Sequence, residues 1–131
     1  MRIAIVTAIH GKLPALEAVV RDIGWRGVDA VVNLGDSLPG PLLPLQTARF
    51  LMAQDWTHRD GNQERQVLNL DPLRADPKDA CTRSEFGSGE LAWPARLGLP
   101  ARVRPLAGGA RLSRSGPAPA AWRRGRARTI R

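Results

Sequence analysis

Three polar residues recur at even intervals in the first half of the chain: His10, Asp36 and Asn62, each 26 residues from the next. An imidazole, a carboxylate and an amide oxygen are donors that hard and borderline divalent cations accept. Each lies beside a glycine, in His10-Gly11, Gly35-Asp36 and Gly61-Asn62. Ala8 occupies the place two before His10 where an acid would complete a metal-binding loop. Taken singly, each residue has an ordinary reading. His10-Gly11 reads as an exposed loop histidine with a turn glycine, Asp36 as a turn or helix-capping aspartate, and Gly61-Asn62 as a common turn pair. Taken together, in chain order and one interval apart, they form a set.

The set needs elements to hold it. Residues 2–7 are short, β-branched and without polar alternation, which predicts a buried strand. Pro14 suits the first turn of a helix, and Leu13, Leu16, Val19, Val20 and Ile23 fall on one helical face. Gly24 and Gly27 punctuate its end. Residues 28–33, "VDAVVN", predict a second buried strand. Pro44 opens a second helix with Leu45, Ala48, Leu51 and Met52 on one face. "DWTHR" (55–59) gives a polar third strand, and Gln63–Leu70 a helical turn or two. This β-α-β-α-β order implies a parallel sheet. The carboxyl ends of its strands form the ligand-binding edge. His10, Asp36 and Asn62 follow the three strands, so all three are expected on one rim.

The motifs "AIHG", "LGDS" and "GNQE" resemble those of the calcineurin-like metallophosphoesterases, especially the small bacterial phosphodiesterase branch. That family's pattern is D-x-H, then G-D, then G-N-H-[DE], followed by histidine motifs in the C-terminal half. The flanking text "IHGKLPALEAVV", "GVDAVVNLGD" and "GPLLPLQTARFLM" is similar as well. The resemblance covers residues 1–70, fades to about residue 103 and is absent beyond.

It implies the N-terminal part of a four-layer α/β/β/α sandwich holding two divalent metals (Mn, Fe, Zn or Ni) and hydrolysing a phosphoester small molecule. Two such metals clamp phosphoryl oxygens and activate water. Carried over by position, His10, Asp36 and Asn62 are metal ligands. Gln63 replaces the family's catalytic histidine, and the first metal-binding aspartate is Ala8, whose methyl group cannot ligate. The chain has 2 His. The second, His58, belongs to no family motif and reads as a surface loop histidine. Asp36 and Asn62 alone are too few donors for a tight second site. The metals are therefore expected to be weakly bound or absent. The chain reads as a degenerate or truncated member with little or no activity.

Charge divides the chain. Residues 1–80 hold 9 basic and 10 acidic side chains, whereas residues 81–131 hold 11 Arg, no Lys and 2 acids. Arg, Ala, Gly and Pro make up 32 of those last 51 residues, too little apolar surface to offset the entropy of ordering. The expected division is a truncated metallophosphoesterase-like domain at 1–80, a weakly structured continuation at 81–104 and a basic disordered tail at 105–131. "DPLRADPKDACTRSEFGSG" reads as a polar loop, and Pro94 and Pro100 should interrupt any helix that follows. An alternative function rests on the tail, whose arginines suit non-specific binding of nucleic acid or another polyanion. The same composition is what GC-rich codons specify, and suggests a shift of reading frame between residues 71 and 105. The lone Cys81 suits a reducing compartment. No apolar run approaches the roughly 20 residues that cross a bilayer, so a cytoplasmic chain without membrane contact is expected.

Overall fold

The computed structural model describes residues 1–98 and 102–106. Its elements run β1 (Ile3–Val6), α1 (Leu13–Arg26), β2 (Ala30–Asn33), α2 (Pro44–Met52), β3 (Thr57–His58), α3 (Asn62–Leu68), α4 (Pro77–Glu85) and α5 (Ser88–Leu97). The strands form a parallel sheet in the order β1-β2-β3. The expected α/β class and β-α-β-α-β order are therefore present. Ile3 pairs with Ala30 and Val6 with Asn33, while Val32 pairs with Thr57.

Strand alternation divides the sheet into two faces. Ala4, Val6 and Val31 face the helices and join Leu16 and Ile23 of α1 and Ala48 and Leu51 of α2 in one core. The prolines expected to open the two helices, Pro14 and Pro44, both lie in the first turn. The other face carries Ile3, Ile5, Val32 and Thr57. At β3 it is crossed by the segment 102–106: the Thr57 hydroxyl donates to the Arg102 carbonyl at 3.5 Å and accepts from the Arg104 N–H at 3.0 Å. The Leu106 N–H then reaches the Asp29 carbonyl at 2.8 Å.

The expectation of a fully buried first strand is corrected here. Central β2 is buried along its whole length. Edge strand β1 leaves Ile3 44% and Ile5 65% exposed, because no element among the described residues covers their face at that end of the sheet. Val19, expected in the core, is also exposed.

Two further corrections concern residues 71–98. Within the expected polar loop lies α4. Asp76 caps it by accepting the Lys78 N–H at 3.0 Å, and Pro77 sits in its first turn. This Asp-Pro start is a helix signal written in polar residues. Pro94 does not interrupt a helix: it lies inside α5, buried beside Trp93. The ring deprives only the Glu90 carbonyl of its partner. Packing of α5 on α2 and α3, with burial of Trp93, outweighs that loss. The tail expected to be disordered lies, from residue 107 onward, outside the described residues, as does Pro100.

Candidate functional site

Parallel pairing continues past the strand ends and binds the first two loops together. The Ala8 N–H donates to the Gly35 carbonyl at 3.1 Å, His10 N–H to the Asp36 carbonyl at 3.1 Å, and Gly11 N–H to the Ser37 carbonyl at 2.9 Å. The third loop joins at Asp36, whose carboxylate Oδ1 accepts the Gln63 N–H at 3.0 Å. The Asn62 side-chain amide lies 3.2 and 3.3 Å from the two Asp36 carboxylate oxygens, close enough for its nitrogen, turned toward them, to donate. His10 and Asp36, on the first two loops, and Asn62 and Gln63, in the first turn of α3, thus lie together at the carboxyl edge of the sheet. The main chain links His10 to Asp36, and side-chain and main-chain bonds link Asp36 to Asn62 and Gln63.

Close approach is possible because the contact points are glycines. A Cβ on Gly35 would collide with the main chain of Gly61, and one on Gly61 with the Asp36 carboxylate. The backbone is also strained. Ala8, His10 and Asp36 have φ of 54°, 50° and 56°, a left-handed conformation that costs a residue with a Cβ roughly 1–2 kcal/mol. His and Asp are enriched there, whereas alanine has no polar side chain to compensate. Ala8 therefore holds a conformation that an aspartate at this position would adopt more readily.

What holds the rim together is a residue to which the sequence reading gave no role. Glu64, 1% exposed, accepts four backbone N–H groups. Its Oε2 receives Asp36 at 2.8 Å and Gly61 at 2.7 Å, and its Oε1 receives Ser37 at 2.6 Å and Leu38 at 3.1 Å. One carboxylate at the start of α3 thereby ties the second loop to the third. The available signal was its place three residues after Gly61, where an acid can reach back over a helix N-terminus.

A second polar cluster lies behind the rim. Asn33, fully buried at the end of β2, accepts the Gly35 N–H at 3.1 Å and donates to Ser37 Oγ at 2.9 Å and to His58 Nδ1 at 3.3 Å. His58 is not a surface loop histidine. It closes β3, stacks on Trp56 at 6.0 Å between ring centroids and meets the edge of Trp93 at 5.1 Å. Burial, assisted by the charge of Arg104, pushes its pKa below the usual 6.5 and favours the neutral ring. Its sequence neighbours, polar except for Trp56, gave no sign of this enclosure.

The donor set does not fit a two-metal centre. Position 8 offers a methyl group. One oxygen of the Asp36 carboxylate already accepts from the Gln63 N–H. Among the described residues no three His, Cys, Asp or Glu side chains gather as ligands. The Gln63 side-chain oxygen is buried without a hydrogen-bond partner. Among the described residues no helix is long and apolar enough to cross a membrane.

Comparison with protein-family models and with curated proteins finds no match. Among solved structures, the chain is similar to a metallophosphoesterase from Sphaerobacter thermophilus, with a TM-score of 0.59 and 26% sequence identity. The likeness covers 74% of this chain and 41% of that one, so this chain spans less than half the length of the protein it resembles.

Proposed function

We propose that this chain is a metallophosphoesterase-like domain that keeps the loop framework of a phosphoester site but not two-metal hydrolysis. One observation carries the reading. Position 8, where the resemblance places the first metal-binding carboxylate, is an alanine, and among the described residues no three His, Cys, Asp or Glu side chains gather as ligands around Asp36. The test is hydrolysis of a chromogenic phosphodiester by the purified chain with Mn²⁺, Ni²⁺ or Zn²⁺. Turnover no greater than that of the Asp36→Ala variant is expected. Metal-dependent turnover abolished by Asp36→Ala would overturn the reading.

The second reading, binding of a polyanion by the C-terminal arginines, rests on the 11 Arg against 2 acids after residue 80. It requires affinity for single-stranded nucleic acid that has no sequence preference and falls steeply with salt. Binding unchanged between 50 and about 300 mM salt would exclude it.

A further inference from the structure

Away from the loop rim, a cleft of about 510 Å³ opens between β3, the end of α2, α5 and the segment 102–104. It lies within the roughly 300–1,000 Å³ range of small-molecule sites. Its lining is divided. Met52, Trp93 and Leu97 give an apolar side, with Trp56 in the wall behind. Arg96, Arg102 and Arg104 give a cationic side, all three on exposed positions. Among the described residues only Arg104 of these three has an acidic partner, Asp55 at 3.6 Å. Among the described residues the Arg96 and Arg102 guanidinium groups therefore have no carboxylate to neutralise them.

Guanidinium groups present planar donor forks that match phosphate oxygens two at a time. An apolar wall beside them selects an anion with an organic body over a bare inorganic one. We propose that this cleft binds an organic phosphate, with its phosphate among Arg96, Arg102 and Arg104 and its apolar body against Met52, Trp93 and Leu97. The site shares no residue with the loop rim, and the inference does not rest on the function proposed above.

Titration of the full chain with phenyl phosphate, inorganic phosphate and phenol, followed by calorimetry and by the fluorescence of the cleft tryptophans, tests it. Phenyl phosphate should bind saturably, at least tenfold tighter than either inorganic phosphate or phenol. The Arg96→Gln/Arg102→Gln variant should lose at least tenfold in affinity for phenyl phosphate. The Arg96→Lys/Arg102→Lys variant, which keeps the charge but not the fork, should fall between. Arg74→Gln, which removes an arginine from outside the cleft, should bind as the parent chain does. Thermal melting of each variant establishes that it is folded, since the substituted side chains are solvent-exposed. Phenyl phosphate binding no tighter than inorganic phosphate would overturn the proposal. So would equal affinity in the parent chain and the folded double-glutamine variant.

Discussion

The carboxylate of Glu64 accepts the backbone N–H of Asp36 at 2.8 Å, from a buried position at the start of α3. Through this bond and two others like it, to Ser37 and Leu38, the loop carrying Asp36 is held by the helix that follows the third strand. The conformation of Asp36 is thus set from behind by a residue that meets its main chain, independently of any ligand in front.

Removing that carboxylate strands several buried donors. Backbone N–H groups bonded to a charged acceptor contribute on the order of 1.5–3 kcal/mol each, and effects within a network do not simply add. Glu64→Ala should therefore destabilise the fold by roughly 3–5 kcal/mol, within the range of breaking a buried charged network. Glu64→Gln should cost less, because the amide keeps one acceptor oxygen. Urea denaturation read by circular dichroism measures both, and a loss under about 1 kcal/mol for Glu64→Ala would remove Glu64 from its structural role.

The glycines separate into two kinds. At Gly61 an added methyl would strike the Asp36 carboxylate, whereas at Gly89, inside α5, it would meet nothing within 4 Å. Gly61→Ala should destabilise by about 2 kcal/mol or more through steric displacement. Gly89→Ala should be neutral or stabilise by up to ~1 kcal/mol through helix propensity. Comparison of their melting temperatures checks the contrast, and equal shifts would contradict the close packing of the second and third loops.

His58 gives the stability a pH dependence of known sign. Its folded pKa lies below the unfolded value of 6.5 chiefly because burial penalises the charged ring. Between the two values the unfolded chain binds more protons, so folding weakens as pH falls. The contribution is full above pH 6.5 and is lost as the pH drops towards the lower folded value. From pH 7.5 to 5.5 the melting temperature should fall more in the parent chain than in His58→Phe. Parallel falls would show that His58 is not the group responsible.

Ala8 permits a separate test of geometry and chemistry. Its left-handed backbone, with φ of 54°, suits aspartate better than alanine, so Ala8→Asp should fold with a melting temperature no lower than that of the parent. It should nevertheless hydrolyse no phosphodiester, because a carboxylate at position 8 adds nothing to the second metal position, where Asp36 and Asn62 alone are too few donors. Turnover by Ala8→Asp in the presence of Mn²⁺ would show that one carboxylate was all the site lacked.

The parts legible in the sequence were those written in periodicity and punctuation. Pro14 and Pro44 marked their helices, the apolar runs marked β1 and β2, and the three glycine-flanked positions marked loops that do converge. Other features depended on long-range contacts that no local pattern records. Burial of β1 on one face alone follows from its edge position. The helix through Pro94 depends on Trp93 finding a core, and the enclosure of His58 depends on Trp93 arriving from 35 positions further along the chain. Glu64 was visible as a residue, but three of its four partners, Asp36, Ser37 and Leu38, lie on a loop brought to it by the sheet. The helix α4 was missed for a different reason: its Asp76-Pro77 start was present, but its polar composition masked it.

Metal binding itself is the most direct measure of the central claim, which is that the rim keeps its shape without a two-metal centre. Equilibrium dialysis of the purified chain against Mn²⁺ and Zn²⁺, paired with thermal melting, gives both stoichiometry and linkage. A ligand at 100 times its Kd stabilises the folded state by about 2.7 kcal/mol. The account predicts less than one tightly bound ion per chain, and a melting temperature that excess metal shifts equally in the parent and in Asp36→Ala. Two ions per chain at micromolar affinity, raising the melting temperature of the parent and lost together in Asp36→Ala, would contradict it.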